Sequence, residues 1–280
     1  MKGIIGILAT LLLALPSLYS SSEDTFSING REIIVPTPEG FVRVTEEMPA
    51  VFRYLSRISD PVNDTLAYYI TEKDATAALT GEFPPLERTL LLKINKQLRH
   101  RAVGPREFSG MIKIIQAQNQ KIFQRLQNDL KLAMDDTSSG ISEEFDIDFA
   151  LGVSQMVPLD PHFQSENCLS YSLYINYDVS ANDANSEVIV AATSTFLNLS
   201  GVVLFQYSYA SKPDLEWTRE ISKDWAEATF LANDVDISTS EEFHTEPWKK
   251  TVTYGVLGAA CGVGATLIYV FISRRKNRKR

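Results

Sequence analysis

Cysteine is scarce in this chain of 280 residues: there are two, Cys168 and Cys261. The first lies in a mixed polar region and the second inside an uncharged apolar run, so no internal disulfide is expected. A folded region of about 210 residues has ample core without one. Animal extracellular domains are more often stapled, which inclines the reading towards a bacterial envelope. Histidine is rarer than most types, with His100, His162 and His244 far apart. The chain has no Gly-x-Ser-x-Gly elbow, no Ser-x-x-Lys, no His-Glu-x-x-His and no phosphate-cradling glycine loop. These absences exclude the common local signatures of hydrolases and nucleotide enzymes, and leave a dispersed site open.

Charge is missing altogether from residues 251–273. As a helix, 23 residues reach about 34 Å, enough for a hydrocarbon core, so a transmembrane helix is expected there. Trp248 stands where an interfacial aromatic belongs. Six of the last seven residues are basic, beginning with Arg274, Arg275 and Lys276, against Lys249 and Lys250 on the other side. That bias predicts a cytoplasmic tail over residues 274–280. At the other terminus, Lys2 precedes an apolar stretch over residues 4–18 and then small residues, the layout of a signal peptide over residues 1–22. An uncleaved signal anchor is the alternative. Either way, the region between is expected outside the cytoplasm.

All 35 acidic residues lie between Ser21 and Trp248, with 18 of the 27 basic ones, so this exported part is at −17. Such a surface repels anionic lipid and nucleic acid alike, which argues against both as partners for it. Residues 234–250 open with five carboxylates and no Lys or Arg before Pro247, and read as a tether.

Within residues 23–233 the patterns predict one α+β domain, an antiparallel sheet packed with helices. Asn29-Gly30 and Glu39-Gly40 are turn signals beside β-rich runs. Thr45 is expected to cap a helix with Met48, Val51, Phe52, Leu55 and Ile58 on one face, stopped by Asp60-Pro61. "TLAYYI" reads as a strand, followed by a short helix with Thr71 and Asp74 as its capping pair. "RTLLLKI" reads as another strand. After Pro105, Phe108, Met111, Ile112, Ile115, Ile122, Phe123, Leu126 and Leu130 make a helical apolar stripe. "TSSGISEE" is expected to be a hinge or turn.

Three β-rich stretches follow, over residues 145–157, 169–179 and 188–209, the last broken into a hairpin by Asn198 and Gly201. Tyr171, Leu173, Ile175 and Tyr177 alternate with Ser172, Tyr174 and Asn176, which predicts a sheet with one buried face. Pro213 opens a final helix with Ile221, Trp225, Ala228 and Ala232 towards that sheet.

The entry "FSINGREIIVPTPEGF", the antiparallel run and the closing "SGVVLFQYSYASKPDLEWTREISKDW" together resemble the Mog1/PsbP-like α+β domains of exported bacterial proteins. The resemblance covers most of the exported part in element order and carries no functional residue. It implies a binding or assembly role more readily than catalysis.

One segment gathers reactive groups. "LDPHFQSENC" brings Asp160, His162, Glu166 and Cys168 within nine residues. Cys with His is the pattern of an activated nucleophile, and the carboxylates with His162 that of a metal site. Pro158 and Pro161 point instead to a connection between strands, where polar residues gather to meet water. Residues 88–131 carry ten basic residues against Glu107 and Asp129. This stretch is either a docking face for an acidic partner or anionic headgroups, or a solvated face balanced by the domain's own acids. Gly258 and Gly262 form a Gly-x-x-x-Gly that permits helix pairing and a homodimer, or are incidental small residues.

The expectation is a non-enzymatic, single-pass protein of the cytoplasmic membrane. Its exported domain would bind an envelope protein partner or a ligand, with no cofactor. A membrane-tethered hydrolase or thiol enzyme using residues 160–168 is the second reading. The third is a eukaryotic type I membrane glycoprotein, with Asn63-Asp-Thr65 and Asn198-Leu-Ser200 as sequons.

Overall fold

A computed structural model describes residues 22–235 apart from 183, and leaves the side chains of residues 116–127 undescribed. The expected signal peptide, the transmembrane helix, most of the tether and the basic tail lie outside the described residues. So do Trp248, Lys249, Lys250, Gly258, Gly262, Arg274, Arg275 and Lys276. Among the described residues no helix is long and apolar enough to cross a membrane.

The described fold is α+β. Strands β1 (Glu23–Ile28) and β2 (Arg31–Pro36) form a separate antiparallel hairpin. Its turn, Asn29-Gly30, has positive φ at both residues (50° and 74°), the requirement of a tight hairpin turn. Seven further strands make one antiparallel sheet in the order β3-β4-β5-β9-β8-β7-β6. They are β3 (Phe41–Arg43), β4 (Asn63–Thr71), β5 (Thr89–Asn95), β6 (Phe149–Gln164), β7 (Cys168–Ala181), β8 (Ala184–Leu199) and β9 (Val202–Ser211). The β8–β9 turn falls at Ser200-Gly201, where the sequence places a break. Gly201 has φ 99°, and a Cβ there would lie 3.3 Å from the Ala102 side chain.

Among the described residues, four α-helices cover the sheet. On one face lie α1 (Pro49–Ser56), α2 (Glu72–Leu79) and the 41-residue α3 (Pro105–Phe145), sharing a core with Tyr171, Leu173, Ile175, Phe205 and Tyr207. On the other lie the β1–β2 hairpin and α4 (Leu215–Ala232), packed on Leu90, Leu92, Leu197 and Leu204. Trp225 of α4 anchors this layer: its Nε1 donates to the Pro36 carbonyl at 2.9 Å and its ring meets Tyr69 edge-on at 5.5 Å.

Several expectations need correction. The helix expected from Thr45 begins at Pro49, with Met48 at its N-cap and no side-chain cap, and ends at Ser56. Proline tolerates the first helical turn because its missing N–H would be unpaired there anyway. The expected hinge "TSSGISEE" is helical to Phe145. Gly140 allows close approach to Arg57, where an added Cβ would lie 3.3 Å from the Arg57 Cβ. The hydroxyls of Ser138 and Ser142 accept from the backbone N–H groups of Leu151 and Phe149 at 2.9 and 3.1 Å. Residues that read as turn formers thus dress the edge of β6.

The expectation of one buried sheet face is also corrected. Ser170 and Ser172 are as fully buried as their neighbours Tyr171 and Leu173, because α4 closes the second face. Of the residues expected towards the sheet, Trp225 is buried and Ile221 packs against the same cluster, but Ala228 and Ala232 are only half-buried, and the rest of the buried stripe is Thr218, Ser222, Ala226, Thr229 and Phe230. A stripe rich in hydroxyls escapes an apolar-periodicity reading.

Candidate functional site

The reactive segment belongs to a strand rather than a loop. Asp160 and His162 lie within β6, Glu166 is in the three-residue β6–β7 turn, and Cys168 begins β7. Pro158 and Pro161 are tolerated because β6 is an edge strand whose register slips at both of them. A proline without an N–H belongs at a strand edge or a bulge.

The structure does not join these four groups into one site. Cys168 is fully buried among Leu197, Leu199 and Trp225. Burial and the nearby Glu227 carboxylate push its thiol far above the ordinary range, so it supplies no thiolate at neutral pH. His162 engages Ser170, with Nε2 3.2 Å from its hydroxyl, and Ser170 is in turn 2.8 Å from the Thr195 hydroxyl. Burial, then the Arg219 guanidinium, lowers the His162 pKa to about 4, with Glu216 opposing. It is therefore neutral near pH 7. Asp160 and Glu166 are exposed. Among the described residues no three His, Cys, Asp or Glu side chains are grouped to hold a metal.

His162 instead opens a layer that the sequence reading passed over. Between α4 and the sheet, Ser172 and Thr193 share a hydrogen bond of 2.8 Å, as do Thr193 and Thr218. Ser208 reaches the Ser222 hydroxyl at 2.6 Å and donates to the Thr218 carbonyl at 2.8 Å. Gln206 donates to Thr229 at 3.0 Å, and Arg219 to the Ser172 hydroxyl at 3.3 Å. The signal was present: Ser170/Ser172, Thr193/Thr195 and Gln206/Ser208 recur at strand spacing, and Thr218/Ser222 at helical spacing. A hydroxyl layer of this kind holds one register, because any slip leaves buried donors and acceptors unpaired.

Among the described residues, four of the ten basic residues of the stretch are ion-paired within the domain. Lys93 pairs with Asp60 at 2.6 Å, Arg99 with Asp64 at 2.8 Å, Arg88 with Asp214 at 3.0 Å, and Arg101 with Glu107. Both sequon asparagines are buried. Asn63 donates through Nδ2 to the Asp60 carboxylate at 3.1 Å, and Asn198 donates to the Val103 carbonyl at 3.2 Å. A glycan on either would displace a structural hydrogen bond from the interior.

No protein-family model matches this chain, and no curated protein matches it significantly.

Proposed function

We infer that this is a single-pass membrane protein whose extracytoplasmic α+β domain is a binding module for an envelope partner, held beside the bilayer by its C-terminal helix. The observation that carries the reading is the division of charge. An acidic folded region is followed by an uncharged run of 23 residues and then a basic tail. The last described helix, α4, is stapled to the β1–β2 hairpin: Asn233 accepts from the Ile34 N–H at 2.9 Å and donates to the Ile34 carbonyl at 2.6 Å. A tether leaving such a staple would transmit the position of the membrane to a folded body. Confinement of that kind raises the effective concentration for a membrane-held partner.

The Mog1/PsbP-like resemblance in element order is part of this proposal, and with it a binding role. The burial of Cys168 argues against a thiol enzyme, and the burial of both sequon asparagines argues against a glycoprotein. Crosslinking intact cells that carry a C-terminally tagged copy tests the proposal. A stoichiometric envelope protein recovered with the chain supports it; recovery of the chain alone, or only as its own dimer, counts against it.

A further inference from the structure

Helix α4 covers only part of the sheet face on which it lies. In β8 every residue from Val190 to Leu199 is buried, whereas none from Ala184 to Ile189 is. β7 changes at the same line: residues 168–173 are all buried, and from Tyr174 onward exposed or half-buried residues alternate with buried ones. The buried members of that alternation, Ile175, Tyr177 and Val179, share a core with Met134 and Ile141 of α3. The others point the opposite way. This half of the sheet therefore has α3 on one face and, among the described residues, nothing that closes the other.

The register sets what stands on the open face. Val157 is opposite Tyr174, Gln155 opposite Asn176 and Gly152 opposite Asp178. Across β7, Ile189 is opposite Asn176 and Glu187 opposite Asp178. Val157 is 41 % exposed and, with the half-buried Tyr174 and Ile189, makes an apolar strip on the side towards α4. Further out, Ala150, Gly152, Asp178, Ser180, Asn185 and Glu187 line a groove. The open area runs about 20 Å along β7 and about 10 Å across the three strands, the footprint of one helix or strand.

Its charge is of one sign. From residue 132 to residue 211 there is no Lys or Arg, against eleven Asp and Glu. Glu144 is taken by Arg53 and Arg57 on the α3 side. On the open face Asp178 and Glu187 are exposed, and exposed Asp148 lies at its end, where its carbonyl accepts from the Asn182 N–H. Glu187 accepts a hydrogen bond from Asn176. Among the described residues none of these three carboxylates has an ion pair. At the boundary with α4, Arg219 is paired with Glu216, and Lys212 Nζ lies 5.9 Å from the centroid of the Tyr174 ring. One cation of the chain thus already rests on this face. A second copy laid on it would set carboxylate against carboxylate, and an anionic polymer or lipid would be repelled.

We infer that this open half of the sheet face is the docking surface for one Lys- or Arg-bearing segment of a protein partner. Its apolar side chains rest on Val157, Tyr174 and Ile189, and its cations meet Asp178 and Glu187. This rests on the binding-module reading above and names the surface that the module uses.

Site-directed photocrosslinking in intact cells tests it on the full chain. Benzoylphenylalanine replaces Gln155 on the open face and, in separate copies, Glu46 or Glu220, which are exposed elsewhere. The crosslinked peptide is located by mass spectrometry. The expected result is capture from position 155 of one partner, through a segment in which Lys and Arg outnumber Asp and Glu. The yield should fall about fivefold in D178N/E187Q, and by less in Asp178→Asn alone, with unchanged melting temperatures. Capture through an acidic segment or a second copy, or a yield that ignores D178N/E187Q, overturns the surface. Capture from position 46 or 220 but not 155 also overturns it and leaves the binding module standing, whereas no capture from any of the three removes the module as well.

Discussion

Lys93 Nζ lies 2.6 Å from the Asp60 carboxylate, and both side chains are 5 % exposed or less. Asp60 also accepts from the N–H groups of Val62 and Asn63, so one carboxylate fixes the entry to β4 against β5. Breaking a buried pair from one side strands a charge. Lys93→Met is expected to cost about 3–5 kcal/mol, and adding Asp60→Asn should recover part of it, read from urea unfolding midpoints. Burial pushes the Asp60 carboxyl up, but the Lys93 ammonium and the hydrogen bonds together outweigh it and hold the pKa below its ordinary value. The pair's stabilisation is thus present above about pH 4 and lost as pH falls below it.

The hydroxyl layer predicts non-additive mutants. Thr193→Val leaves Thr218 and Ser172 each short of a partner and should cost about 1–3 kcal/mol. The double variant T193V/T218V should cost less than the sum of the two single changes, because the two groups that faced each other are removed together. Chemical denaturation of the four proteins in the cycle measures the coupling.

His162 makes the fold sensitive to mild acid. Its folded pKa of about 4 lies below the ordinary histidine value, so the unfolded chain binds the extra proton first. Its contribution is complete above about pH 6.5 and declines as pH falls towards about 4. Because the ring is half-buried, screening reduces the effect to the order of 1 kcal/mol. His162→Gln should flatten this part of the stability profile between pH 7 and 4.5.

Cys168 should be inert to a thiol reagent in the native protein and react at once in denaturant. Rapid labelling of folded protein at this position would revive the enzyme reading. In the same way, a glycosidase should leave the electrophoretic mobility of the folded chain unchanged, since Asn63 and Asn198 donate inward.

The strands and helices that sort apolar residues by period were legible: the strand "RTLLLKI", the Thr71–Asp74 cap and the long helix after Pro105 all occur. The final helix was legible on the sheet through Trp225, but most of the face it uses was not, because α4 meets the sheet partly through serine and threonine. Hydrophobic periodicity cannot distinguish that face from one turned to water. The same blindness turned "TSSGISEE" into a hinge and the proline-flanked end of β6 into a loop. The candidate site failed for a related reason. Neighbours in sequence fell on two strands with different surroundings: His162 on the bulged edge strand β6 turned to Ser170, while Cys168, past the turn at the start of β7, entered the core.

Topology tests the central claim most directly. Sealed membrane vesicles with the extracytoplasmic face outward, carrying the chain with a C-terminal tag, are treated with protease and then washed at alkaline pH. The account predicts that the domain is digested while a short tagged fragment, spanning residues from about 240 onward, stays protected in the membrane pellet. Loss of the tag to protease, or release of the intact chain by the wash, would contradict it.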